Sequence, residues 1–196
     1  QQSPQRVVVS CDDKDLTYGE LESLANKMAR YFRSRGLFRG DHIALLIGNC
    51  PEMLAVVWGA WRAGLYITPM STSLTLTELT YMVSDCDAKL VIVDVALGET
   101  SIQLASQLNT EELQFASVGG ATPNCTDLNA ILSTISDQPI QDESPGALMM
   151  YTSGTTGYPK GVIRPLPDAS QVATPAFAAD LITLFGMGGN EVRYLS

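Results

Sequence analysis

The chain has 196 residues, 45% hydrophobic, 17% charged and 7% aromatic, the make-up of a globular protein able to bury a sizeable core rather than a disordered one. Twelve Lys and Arg stand against 21 Asp and Glu, a formal net charge of −9, which speaks against non-specific nucleic-acid binding and against attraction to an anionic membrane surface. Sixteen Gly and 10 Pro are too few and too scattered for a collagen-like or low-complexity segment.

Residues 6–10 read as a short strand, with Asp12, Asp13 and Lys14 as the turn after it. Thr17 and Glu20 then fit a capping box, in which the hydroxyl and the carboxylate satisfy each other's backbone N–H groups. Leu21, Leu24, Ala25, Met28, Ala29 and Phe32 follow at helical spacing. Arg30, Arg33 and Arg35 crowd the last turns, where cations suit the helix dipole, and Gly36 ends the helix. After His42 the chain is continuously apolar to Ile47, as a strand covered on both faces requires. Asn49 is placed to cap the next helix, with Pro51 near its first turn. That helix runs to Gly64 and is apolar almost all round, through Met53, Leu54, Val56, Val57, Trp58 and Trp61, so both tryptophans are expected in the core.

Further along, 65–68, 89–94 and 113–118 read as strands, and 77–86, 102–108 and 128–135 as helices. This alternation predicts an α/β fold, a mostly parallel sheet flanked by helices. Residues 136–145 are polar, with two prolines and three acids, and read as a loop or a joint. They divide the chain into an N-terminal α/β subdomain, 1–140, and the start of a second subdomain, 141–196. A strand over 147–152 (Met149 and Met150 both buried), a Gly-rich loop, a strand at 162–164 and a helix over 168–185 follow. Gly186, Gly188 and Gly189 break the chain before a last strand begins at 191–196.

Charge is unevenly spread: residues 1–70 carry eight basic and seven acidic groups, residues 71–196 four and fourteen, a pattern that reads as a solvated acidic face. Cys11, Cys50, Cys86 and Cys125 form no C-x-x-C pair and His42 is the single histidine, so free thiols are expected rather than a zinc site or a disulfide framework. His42 itself reads as structural. No signal-like run opens the sequence, and its longest strongly apolar stretch, 53–61, is far too short for a bilayer; a cytoplasmic protein without a transmembrane segment is expected. Without an initiator Met, the chain reads as part of a longer frame or as processed.

Chemistry concentrates at residues 151–161, Tyr-Thr-Ser-Gly-Thr-Thr-Gly-Tyr-Pro-Lys-Gly. Thr152, Ser153, Thr155 and Thr156 supply hydroxyls, Gly154, Gly157 and Gly161 supply backbone freedom, and Lys160 supplies a mobile charge. Successive N–H groups, short hydroxyl donors and one ammonium are what a polyphosphate asks for. The spacing Gly154-x-x-Gly157-x-x-Lys160 is not that of a Walker A loop, and Pro159 precedes the lysine, so a loop between two strands is expected rather than a helix N-terminus.

This string resembles the phosphate-binding signature of the adenylate-forming superfamily, which includes acyl-CoA synthetases, firefly luciferases and peptide-synthetase adenylation domains. Upstream, Leu16-Thr17-Tyr18-Gly19-Glu20-Leu21, the run from Gly36 to Asp41, Asn49-Cys50-Pro51-Glu52, Ala63-Gly64 and Ala88-Lys89-Leu90-Val91 resemble the N-terminal region of the same family in order. The Ser/Thr-His pair that many relatives carry a few residues beyond the Gly-Val is absent. The resemblance implies the N-terminal part of the large domain of such an enzyme, truncated and inactive as a ligase alone. It implies that Thr152, Ser153, Gly154, Thr155, Thr156, Gly157 and Lys160 hold the phosphates of ATP. Lys160 would be the catalytic group that stabilises departing pyrophosphate, and Thr152 a contact to Mg2+. An acyl-CoA synthetase is favoured, with a carboxylic acid (a fatty acid foremost), ATP and coenzyme A as small-molecule partners and the rest of the enzyme as its structural partner. A homo-oligomer is left open. A peptide-synthetase adenylation domain and a non-enzymatic phosphate-binding module stand as alternatives. Of the other candidates, Arg30, Arg33, Arg35 and Arg39 read as helix-end cations, and Glu111 and Glu112 as solvated.

Overall fold

In the computed structural model, which describes residues 3–11, 14–108, 110, 112–152 and 159–169, local signals place most elements. Strand β1 (Val7–Cys11) pairs antiparallel with β2 (Lys14–Thr17), so Lys14 opens a second short strand rather than closing a turn. Helix α1 (Tyr18–Ser34) starts from the full capping box: the Glu20 N–H donates to Thr17 Oγ1 at 3.2 Å and the Thr17 N–H to Glu20 Oε2 at 2.8 Å. It stops at Arg35, and Gly36 turns the chain with φ +77°. Strand β3 (His42–Leu46) leads into α2 (Pro51–Arg62). The cap of α2 is Cys50, which makes no side-chain bond, and not Asn49; Pro51 at the first turn fixes the start instead.

Strand β4 (Tyr66–Pro69), α3 (Leu76–Asp85), β5 (Ala88–Asp94), α4 (Glu99–Leu108), β6 (Gln114–Val118), β7 (Thr126–Asp127) and α5 (Leu128–Leu132) follow. A second capping box, Thr75 with Glu78, opens α3. Helix α5 is shorter than its apolar pattern, because Thr134 and Ile135 tighten onto the carbonyls of Ile131 and Leu132 in three-residue turns. The expected strand over 147–152 is two strands, β8 (Ala147–Leu148) and β9 (Met150–Thr152), and β10 (Lys160–Val162) begins at Lys160 itself, two residues earlier than expected. The helix over 168–185, the glycine break and the strand at 191–196 lie outside the described residues apart from residues 168–169, as does Glu111; Glu112 is exposed.

Six strands form one sheet in the order β7-β6-β5-β3-β4-β8, every neighbouring pair parallel. One face of it (Ile43, Leu45, Ile67, Leu90, Ile92) packs on α1, α2 and α5; the other (Ala44, Leu46, Val91, Val93, Phe115) packs on α3 and α4. The result is a three-layer α/β arrangement, and the near-continuous apolar runs of β3 and β5 follow from burial on both sides. Helices α1 and α2 meet closely at Gly59, where a Cβ would sit 2.5 Å from Met28 Cβ. Trp58, by contrast, is 39% exposed on the outer side of α2, so only part of that apolar helix is core.

The arginines have a structural task. Arg33 donates to Asp142 Oδ2 (2.9 Å) and to the carbonyls of Leu37 (2.8 Å) and Ala63 (3.0 Å). Arg30 holds the carbonyls of Gln138 and Pro139, Arg35 donates to Thr126 Oγ1, and Arg39 holds the carbonyls of Pro145 and Pro167. The polar stretch 136–145 is thereby fastened to the end of α1, and the large sheet continues beyond it at β8, which pairs with β4. The thiols are free; burial pushes Cys50 and Cys125 up to about 11, so neither is a nucleophile near neutral pH. Among the described residues no helix is long and apolar enough to cross a membrane. His42 stacks on Tyr66 with centroids 4.6 Å apart, and burial lowers its pKa.

Candidate functional site

The two ends of the Gly-rich string form a two-stranded ribbon. Strands β9 and β10 pair antiparallel through Thr152 with Lys160, Tyr151 with Gly161, and Met150 with Val162. Side chains alternate along a strand, so Met150 and Thr152 share one face with their partners Val162 and Lys160. All four are exposed, Met150 by 48% and Val162 by 47%. Thus Met149 is buried as expected and Met150 is not, because β9 leaves the large sheet after Met149 donates its N–H to Ile67 O at 2.9 Å.

The sequence-predicted residues divide in two. Thr152 and Lys160 lie directly opposite each other at the base of the loop, where the Thr152 hydroxyl donates to the Lys160 carbonyl over a long 3.5 Å. The Lys160 side chain is exposed and has no ion-pair partner among the described residues. Ser153, Gly154, Thr155, Thr156 and Gly157 lie outside the described residues. One cation and one hydroxyl therefore stand side by side at the mouth of the loop.

The opposite face of the hairpin is anchored. Tyr151 is half-buried against the α3 side of the core, and its hydroxyl donates to Asp85 Oδ2 at 2.6 Å. The second Asp85 oxygen accepts from Tyr81 at 3.3 Å. Burial first, and then the bond to Asp85, hold the Tyr151 phenol well above its ordinary pKa, so it remains a donor. Across the strand, Gly161 leaves room for the tyrosine: a Cβ there would overlap Met149 Cε and lie 3.2 Å from Tyr151 Cζ. Beyond β10 the chain is tied back, with the Tyr66 hydroxyl donating to the Arg164 carbonyl at 2.8 Å. Asp85 was not singled out from sequence. The available signal was an acid in the last residue of a helix with no basic neighbour in that turn, an arrangement the helix dipole disfavours.

Another place for a ligand is the crevice outside the carboxyl ends of β3 and β5, where the chain order reverses. Its central group, Asp94, is 8% exposed and spends its carboxylate on the N–H groups of Gly48 (3.2 Å) and Ala96 (2.9 Å). That carboxylate braces the strand ends and faces no cation among the described residues. The hairpin is the better candidate.

The sequence that folds into this three-layer α/β arrangement matches the AMP-binding enzyme family over residues 1–182; the chain belongs to that family. It is 34% identical over 164 residues to the 2-succinylbenzoate–CoA ligase of Bacillus licheniformis, covering 83% of this chain and 31% of the relative. To the N-(5-amino-5-carboxypentanoyl)-L-cysteinyl-D-valine synthase of Penicillium rubens it is 26% identical over 198 residues, 95% of this chain and 5% of that protein. Among solved structures, the acyl-CoA synthetase of Brucella canis superposes with a TM-score of 0.64 at 26% identity, over 82% of this chain and 30% of the other. The chain thus spans about a third of the CoA ligases it matches and a far smaller share of the Penicillium synthase.

Proposed function

We propose that this chain carries the polyphosphate clasp of an AMP-forming acid–thiol ligase, with residues 1–140 as its N-terminal subdomain and 141–196 as the start of the next. The observation that carries the reading is the pairing of Thr152 with Lys160 at the mouth of the hairpin, both exposed on one face. In the reaction a carboxylate oxygen attacks the α-phosphorus of ATP; the new O–P bond forms as the bond to the β-phosphate oxygen breaks, releasing pyrophosphate. A thiolate, that of coenzyme A in this reading, then attacks the acyl carbon, and the C–O bond breaks to release AMP.

Such transfers need positioning and charge neutralisation more than covalent help from the protein. Lys160 binds and neutralises the β- and γ-phosphate oxygens, and the hydroxyls and N–H groups of Thr152, Ser153, Gly154, Thr155, Thr156 and Gly157 orient them. Mg2+ would come with the phosphates and take the Thr152 hydroxyl as one ligand, its partner carboxylate lying outside this chain in this reading. Fatty acids are the acid class we favour.

Titration calorimetry of the chain with pyrophosphate and with Mg-ATP tests the clasp. Lys160→Ala is expected to cost about 1.5–3 kcal/mol of binding, the worth of a charge-assisted contact. Equal binding by the wild type and this variant overturns the reading. The chain alone is expected to give no ATP–pyrophosphate exchange. A second reading, an adenylation domain that passes its acyl group to a carrier thiol, is favoured by the similarity to the Penicillium synthase over 95% of this chain. A thiol-acceptor assay on the complete protein separates the two.

A further inference from the structure

We propose that Asp85 is a positioning residue for the clasp, acting through Tyr151 to hold Thr152 and Lys160 on the outer face of the hairpin. The proposal rests on the phosphate-binding reading of that hairpin and deepens it.

Three observations carry it. First, among the described residues the hairpin has three cross-strand pairs and belongs to no larger sheet, and a two-stranded ribbon of that size is marginal by itself in water. Something else must set its orientation. Second, the inward face of the ribbon presents Tyr151 and Gly161 as a cross-strand pair, and the glycine leaves the space into which the ring fits. Because neighbours on a strand point to opposite faces, a tyrosine held inward compels Thr152 outward, and the pairing register compels Lys160 outward beside it. Third, Asp85 is the last residue of α3, whose final turn holds no basic group. A carboxylate there is disfavoured by the helix dipole, yet both of its oxygens accept tyrosine hydroxyls, one from Tyr81 on its own helix and one from Tyr151 on the hairpin. Tyr151 also lies 3.5 Å from the Met82 carbonyl, so its ring is directed at the end of α3. The ribbon is moored to a helix 66 residues away in sequence, one position before the first hydroxyl of the loop.

The test measures pyrophosphate affinity by calorimetry for wild type, Tyr151→Phe, Asp85→Ala, Asp85→Asn and the double variant Tyr151→Phe/Asp85→Ala, with a melting curve for each. Tyr151→Phe and Asp85→Ala are each expected to weaken binding about tenfold, the effect of one hydrogen bond to a charged group. The double variant is expected to be no weaker than either single one, since all three remove the same bond. Asp85→Asn keeps an acceptor oxygen for the tyrosine and is expected to restore most of the affinity. Wild-type affinity in the folded Tyr151→Phe or Asp85→Ala variants, with or without a lower melting temperature, overturns the proposal, as do additive losses. Failure of the phosphate reading has another signature: wild type and Lys160→Ala then bind alike. In that event amide exchange at Gly161 and Val162 still decides the mooring, faster exchange in Tyr151→Phe and Asp85→Ala supporting it and unchanged exchange overturning it.

Discussion

The six-stranded sheet and the β9–β10 hairpin are built on opposite terms. In the sheet, β3 and β5 are covered on both faces, and Ile43, Leu45, Leu90 and Ile92 are essentially without solvent exposure. Each of its features is supported by several others: apolar burial, two capping boxes, and arginines that bind loop carbonyls. The hairpin has one half-buried face and one open face, and the open face holds the groups we propose to bind phosphate. Redundancy keeps the scaffold fixed, whereas the clasp is free to present charge because little else depends on its outer side chains.

The contrast can be broken most forcefully in the sheet. Leu90→Ala empties a fully buried position and is expected to cost about 2–5 kcal/mol of unfolding free energy in a denaturant titration. Arg33→Ala, which abandons Asp142 and two carbonyls, is expected to cost about 2–3 kcal/mol, and Arg33→Lys to recover little of it, since an ammonium cannot span three acceptors in a plane. A loss below about 0.5 kcal/mol would mean that the guanidinium is incidental. Lys160→Ala sharpens the comparison from the other side: stability is expected to change by no more than about 0.5 kcal/mol while pyrophosphate binding falls.

The smallest effect is a pH slope. Burial lowers the pKa of His42 in the folded chain, against the pull of Asp87 and Asp41, from its ordinary 6.5. The unfolded chain therefore takes up its proton first as pH falls, so the contribution of His42 is complete above about pH 6.5 and is lost below it as pH drops through the folded value. Melting temperatures measured across that range should fall for the wild type and fall less for His42→Gln; parallel curves would remove His42 from the account.

Legibility in the sequence follows the same divide. Elements fixed by neighbours in the chain could be read directly: Thr17 with Glu20 defines a helix start wherever it is placed, and the apolar run of β3 admits few other readings. What escaped depends on partners outside the element itself. Strands β2 and β7, of four and two residues, exist because β1 and β6 lie beside them. The break at Met149 marks a change of partner, from parallel β4 to antiparallel β10, which no local pattern encodes. Asn49 was a sound cap by residue type, but Pro51 decided the start of α2. In the candidate site, Thr152 and Lys160 stood out through the glycines and hydroxyls between them, while Asp85 carried only the signal of an acid ending a helix, and its partner is reached only through the fold.

Arg39 binds the carbonyl of Pro145 with one nitrogen and that of Pro167 with another, the two points at which the chain enters and leaves the excursion containing the hairpin. A single planar ion thus draws the segment into a lasso, knotted at its base. A protease cut within the loop would leave both ends tied to the same guanidinium, as well as to each other through the β9–β10 pairing.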